Sequence, residues 1–111
     1  MDVYKIMLSQ QQVITFVDPD EIVYCQSDNC YTNVHLLNER IMIVKSLTKF
    51  SKELSETQFI RVSQSYLINT KFVRNINKKD KLIELSNRKC IPYTISLKEL
   101  LQLMSSRAKE C

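Results

Sequence analysis

Three features of this 111-residue chain predict a mainly β fold with one short internal helix and one C-terminal helix. Period-two alternation recurs in short segments, polar turn residues separate those segments, and the period becomes helical in only two places. Tyr4 to Leu8 and Val13 to Val17 read as two strands around Ser9-Gln10-Gln11-Gln12, with residues 1–12 serving either as an edge strand or as a linker. Asp18-Pro19-Asp20 breaks the second strand, because proline restricts the residue before it. Ile22 to Gln26, Tyr31 to Leu37 and Arg40 to Val44 then form a β-meander, turning at Ser27 to Cys30 and at Asn38-Glu39. In its middle strand Val34 and Leu36 face one side, Asn33 and His35 the other.

Leu47, Phe50 and Leu54 recur at helical spacing behind Ser46 as N-cap, so residues 46–55 predict a short amphipathic helix that supports the sheet. Its open face carries Lys49, Lys52 and Glu53. Val73 to Asn77 and Leu82 to Ser86 predict a hairpin closed by Lys78-Lys79-Asp80-Lys81, and Lys89 to Pro92 a last edge strand. From Ser96 the helical period returns, with Leu97, Leu100, Leu101, Met104 and Ala108 on one face. Ser96 and Glu99 form a capping-box pair, and residues 106–111 read as a frayed tail.

The composition is that of one soluble globular domain over 1–111, with 44% hydrophobic and 25% charged residues. The longest apolar run is four residues, Ile41 to Val44, too short to span a membrane, and no charged start precedes an apolar block. A cytoplasmic location is therefore the expectation. Glycine is absent, so turns that need positive φ are expected at Asp28-Asn29, Asn38-Glu39, Asn77 to Asp80 and Ser86-Asn87. The same absence excludes glycine-dependent phosphate loops and dinucleotide fingerprints, and no cofactor is expected. Cys25, Cys30, Cys90 and Cys111 form no closely spaced pair, and His35 is the only histidine, which argues against a metal site. Cys25 and Cys90 read as buried small hydrophobes, Cys30 and Cys111 as exposed. Without paired carboxylates, or a nucleophile with a base, an enzyme is the weakest of the function classes.

Charge is distributed unevenly. Residues 1–56 carry a net −3 and residues 57–111 a net +7. Lys71, Arg74, Lys78, Lys79, Lys81, Arg88 and Lys89 crowd into 71–89 against Asp80 and Glu84. A one-sided basic surface suits a polyanion, although a solubilising charged hairpin would look the same.

Residues 59–76 organise the chain. Ile60 and Val62 alternate with Arg61 and Ser63, and the alternation then stops at Ser63-Gln64-Ser65. These short polar side chains bond nearby backbone and favour a loop. Tyr66, Leu67 and Ile68 re-enter the core, Asn69 suits a turn, and Phe72, Val73 and Ile76 return to apolar positions. Amide and hydroxyl groups held on a short anchored loop suit the reading of base edges.

Phe59-x-Arg61-Val62-x-x-Ser65-Tyr66-Leu67-Ile68-Asn69 resembles the central signature of the LytTR-type DNA-binding domain, the output module of many bacterial response regulators. Asp20 to Cys25 with Tyr31 upstream, and Cys90 to Thr94 ahead of a helix downstream, extend the resemblance from about Ile14 to Met104. The resemblance implies an elongated arrangement of small antiparallel sheets whose loops enter the major groove of double-stranded DNA, without a recognition helix. It implies base contacts at Asn29 and Tyr31, at Ser63 and Gln64, and at Ile95 and Ser96. Tyr31 remains open between sheet packing and nucleic-acid contact, and Ser96 between an N-cap and a phosphate site. Arg61 suits either a phosphate or a carboxylate; Lys71 and Arg74 suit phosphates. The chain departs from the family where Asn29 replaces a usual glycine, and where no arginine stands near Ser96.

The resemblance also implies tandem-repeat sites, occupied by two copies that self-associate weakly on DNA. No membrane or small-molecule partner is expected. The rival to a transcription-regulator output domain is a protein-interaction module of the same fold that has lost specific readout.

Overall fold

The computed structural model describes residues 4–105. Among these residues ten strands, all paired antiparallel, form three sheets. The hairpin β1 (Ile6–Ser9) and β2 (Ile14–Val17) stands alone. The central sheet has the order β5-β4-β3-β7-β6, from β3 (Ile22–Asp28), β4 (Tyr31–Leu36), β5 (Arg40–Ile43), β6 (Phe59–Arg61) and β7 (Tyr66–Asn69). The third has the order β10-β9-β8, from β8 (Val73–Asn77), β9 (Leu82–Leu85) and β10 (Cys90–Pro92). Helix α1 (Leu47–Ser51) follows β5, and α2 (Leu97–Ser105) closes the described chain. The body measures 43 × 36 × 23 Å.

The central sheet is buried on both faces, which explains why its strands do not simply alternate apolar with polar. On one face the β1–β2 hairpin and α1 cover Cys25, Val34, Ile41, Phe59 and Leu67, with Leu8 and Phe50 fully buried among them. On the other, the small sheet and α2 cover Tyr24, Ile60 and Ile68, with Ile83, Leu85, Ile91 and Leu100 fully buried. In β7, Leu67 enters the first core and Ile68 the second, so Tyr66-Leu67-Ile68 is apolar throughout. Each such buried aliphatic side chain stabilises the fold by about 1.5–3 kcal/mol. A register shift between Ile22 and Tyr24 reverses the facing of β3. Val23 and Tyr24 therefore both belong to the second core, and Cys25 to the first.

The split of β4 is as expected, with Val34 and Leu36 toward the first core and His35 on the other side. Asn33 is buried, and His35 stacks on Tyr24 with ring centroids 4.1 Å apart and planes 8° from parallel. Several expectations change with this architecture. The Asp18-Pro19-Asp20 break is an ordered 3-10 turn, capped by Asp18 with Glu21 returning the bond. Helix α1 is one turn shorter than the sequence period implied, yet Leu54 beyond it is still buried. Cys25 is fully buried, and burial pushes its thiol well above the usual range. Cys90 is exposed rather than buried, because β10 turns it outward while Ile91 faces the core. In α2, Leu101 is half-exposed and Leu103 packs inward. The expectations for Ala108, Cys111 and the 106–111 tail lie outside the described residues.

The positive-φ turns follow a different rule from the one expected. Asn29 is left-handed as anticipated (φ 58°), but the other two such residues described are Lys81 (φ 57°) and Arg88 (φ 71°). Asn77 and Asn87 instead cap their turns, accepting from the amides of Asp80 and Lys89. Side-chain capping fixes each asparagine in place and passes the left-handed position to a later residue.

Candidate nucleic-acid interface

Four segments meet at one edge of the molecule. Strand β3 runs toward the Asp28 end of its pairing with β4, and Gln26 pairs with Tyr66 at the start of β7. The β3–β4 turn and the 62–65 loop therefore lie at the same end of the central sheet. The Ser27 amide donates to the Ser65 carbonyl at 2.9 Å and ties the two together. The segment after β10 joins them, with the amide of Thr94 donating to the Val62 carbonyl at 2.9 Å. Ser46 and Thr48, at the start of α1, close the group. They line an open polar recess of about 260 Å³ with Ser27, Asn29, Arg61 and Gln64.

The 62–65 loop is held from inside. The Arg61 side chain donates from Nε to the Ser63 carbonyl at 2.9 Å and from Nη2 to the Gln64 carbonyl at 2.6 Å. Its Nη1 reaches the Thr48 hydroxyl at 3.4 Å. Burial lowers the Arg61 pKa from the usual arginine range, but a guanidinium that starts so high stays charged. The Ser63 hydroxyl accepts from the amides of Ser65 and Tyr66 at 3.2 and 3.1 Å. Ser63 is thus the cap of this loop. Gln64 is exposed, and its carboxamide makes no hydrogen bond with another described residue. It lines both the first recess and a second of about 360 Å³ bounded by Ser63, Tyr66, Pro92 and Thr94. Gln64 therefore forms the rim between two open recesses, with four donor and acceptor positions unspent.

The other expected contacts divide by position. Asn29 sits on the recess in its left-handed conformation. Tyr31 opens β4 at the same turn and is 38% exposed. Ser96 caps α2, its hydroxyl accepting from the Glu99 amide at 3.0 Å, and Ile95 is half-buried beside the second core. Lys71 does not join this edge. It follows the far end of β7, where Asn69 pairs with Phe59, and its ammonium lies 3.4 Å from an Asp20 carboxylate oxygen. Arg74 is exposed at a register shift near the Leu85 end of β8, the end opposite Pro92 in the small sheet. Sequence reasoning missed Ser46 and Thr48 as members of the site. Thr48 joins through its contact with Arg61 across the fold and Ser46 by lining the same recess, which no local spacing signals.

A model of the LytTr DNA-binding domain matches residues 12–106. The chain belongs to the LytTR DNA-binding domain family. Its relatives include the sensory transduction protein LytT of Bacillus subtilis, 30% identical over 108 residues that cover 90% of this chain and 44% of that protein. The transcriptional regulatory protein LytR of Staphylococcus aureus is 31% identical over 72 residues, covering 65% of this chain and 26% of LytR. The chain thus spans less than half the length of these curated relatives. The solved LytTr DNA-binding domain of a putative methyl-accepting/DNA response regulator from Bacillus cereus superposes with a TM-score of 0.76. That superposition covers 94% of this chain and 98% of the other, at 18% identity, and bears on the fold alone. The LytTR fold expected from the signature at Phe59 to Asn69 is therefore the observed one. Among the described residues no helix is long and apolar enough to cross a membrane, and no cluster of metal-ligating side chains occurs.

Proposed function

We propose that this LytTR domain binds double-stranded DNA in a sequence-specific manner, inserting the edge built by the 28–31, 62–65 and 94–96 segments into the major groove. The observation that carries this reading is the division of labour in the central loop. Arg61 and Ser63 immobilise the backbone, and the Gln64 carboxamide is left exposed. An unspent carboxamide carried on a fixed backbone suits bidentate recognition of adenine N6 and N7, at about 1–3 kcal/mol of discrimination per base pair.

Asn29 and Tyr31 flank Gln64 on one side and Ser96 on the other, as further contacts to bases or to the sugar-phosphate edge. Ser63 contributes through its position, because its hydroxyl is already engaged. Arg61 uses three of its five donor positions within the fold and keeps the rest for a phosphate at the mouth of the recess. The role is that of an output domain of a cytoplasmic transcription regulator, acting on tandem sites with two copies side by side. Amide chemical-shift mapping during titration with duplex DNA tests the interface. Shifts concentrated at 27–31, 46–48, 62–65 and 93–96 are expected; shifts confined to the β1–β2 hairpin would refute it.

A further inference from the structure

We infer that the β8–β9 turn, through Lys78, Lys79 and Lys81, is the main phosphate clamp of this domain, gripping the duplex backbone beside the base-reading loop; this rests on the DNA-binding reading above. The turn lies at the Leu82–Pro92 end of the small sheet, where Leu82 pairs with both Asn77 and Pro92. The Tyr93 amide donates to the Lys81 carbonyl at 3.2 Å, and the next residue, Thr94, donates to Val62 at 2.9 Å. Two main-chain hydrogen bonds therefore connect the lysine turn to the start of the Gln64 loop. Pro92 and Thr94, which line the second recess with Gln64, stand between them.

The chemistry of the turn suits a polyanion. Lys78, Lys79 and Lys81 are all exposed, and none forms a salt bridge with another described residue. The one acid among them, Asp80, is engaged by Asn77, which donates to its carboxylate at 3.3 Å and accepts from its amide at 2.9 Å. Lys81 holds φ 57°, a conformation that disfavours any residue with a Cβ other than asparagine or aspartate. A lysine held there is suited to a charge role rather than to turn geometry. By contrast, Lys71 lies beside Asp20 at the far end of β7, and Arg74 and Lys89 lie toward the opposite end of the small sheet.

The test compares three forms of the domain by fluorescence anisotropy with one mixed-sequence duplex over a range of salt concentrations. The turn variant carries Lys78→Gln, Lys79→Gln and Lys81→Asn, the last chosen because asparagine keeps the left-handed conformation. The charge-matched control carries Lys71→Gln, Arg74→Gln and Lys89→Gln. Thermal melting confirms that each is folded. The expected result is a log–log salt slope flattened by roughly two to three units in the turn variant, from about 0.9 per lost phosphate contact, and little change in the control. An unchanged slope in the turn variant, or equal flattening in both, overturns the clamp while leaving DNA binding intact. No binding by the unmodified domain, even at low salt, overturns both.

Discussion

The Arg61 guanidinium donates to the main-chain oxygen of Gln64 at 2.6 Å, so the residue that presents the exposed amide is fixed by a charge-assisted bond from within the fold. The next donor along the same side chain fixes Ser63. Arg61→Lys removes this fork, because an ammonium cannot hold two carbonyls and a hydroxyl in the same plane. Loss of about 1–2 kcal/mol of discrimination between preferred and scrambled duplexes is expected, roughly five- to thirtyfold. Competition binding measures it, and undiminished discrimination would mean that the loop needs no brace.

Gln64→Ala should relax preference at one base-pair position and leave the salt dependence unchanged, since no phosphate contact is lost. Equal weakening on every sequence would instead assign Gln64 to the backbone. Binding to a panel of single-base variants of the preferred site separates these outcomes.

Asn69 is fully buried at the far end of β7, donating to the Ile22 carbonyl at 2.9 Å and accepting from the Lys71 amide at 2.9 Å. Asn69→Ala strands both main-chain groups and is expected to cost about 1–3 kcal/mol. For a domain of this size each kcal/mol lowers Tm by about 4–8 °C. Thermal unfolding checks it; a shift below 2 °C would mean that water replaces the amide at about no cost.

His35 gives the domain an acid sensitivity. Burial first, then the charges of Arg40 and Lys89, lower its pKa to about 4, and its Nε2 has no hydrogen-bond partner among the described residues. The unfolded chain takes up this proton near pH 6.5, about the ordinary histidine value. Between those values the unfolded state binds more protons, so stability falls as pH drops from about 6.5 toward 4 and is unaffected by this group above that window. His35→Phe keeps an aromatic ring against Tyr24 without the titration. The Tm of the two proteins should therefore diverge as pH falls, and parallel curves would discount the effect.

These predictions draw unequally on what the sequence reveals. Strands β1 to β6 and β8 to β10 were readable because their apolar residues alternate or cluster between turn residues, and β8 was bounded correctly at Val73–Asn77; Tyr66 to Ile68 read as a return to the core rather than as strand β7. The second buried face of the central sheet was not readable. Asn33 and His35 read only as the face opposite Val34 and Leu36; the stacking of His35 on Tyr24 depends on the pairing of β3 with β4, which local spacing does not encode. The polar loop that carries Gln64 was readable from the break in alternation. The bonding of Ser63 to nearby backbone was legible too, whereas the reach of Arg61 to Thr48 and the remoteness of Lys71 depend on which elements meet, which spacing along one chain does not encode.

Selection of duplexes from a randomised pool at near-physiological salt tests the central claim most directly. Enrichment of a short motif, with its preference relaxed at one position by Gln64→Ala, is the predicted result. Absence of any enriched motif, with binding retained only at low salt, would contradict specific readout and leave the basic half as generic charge.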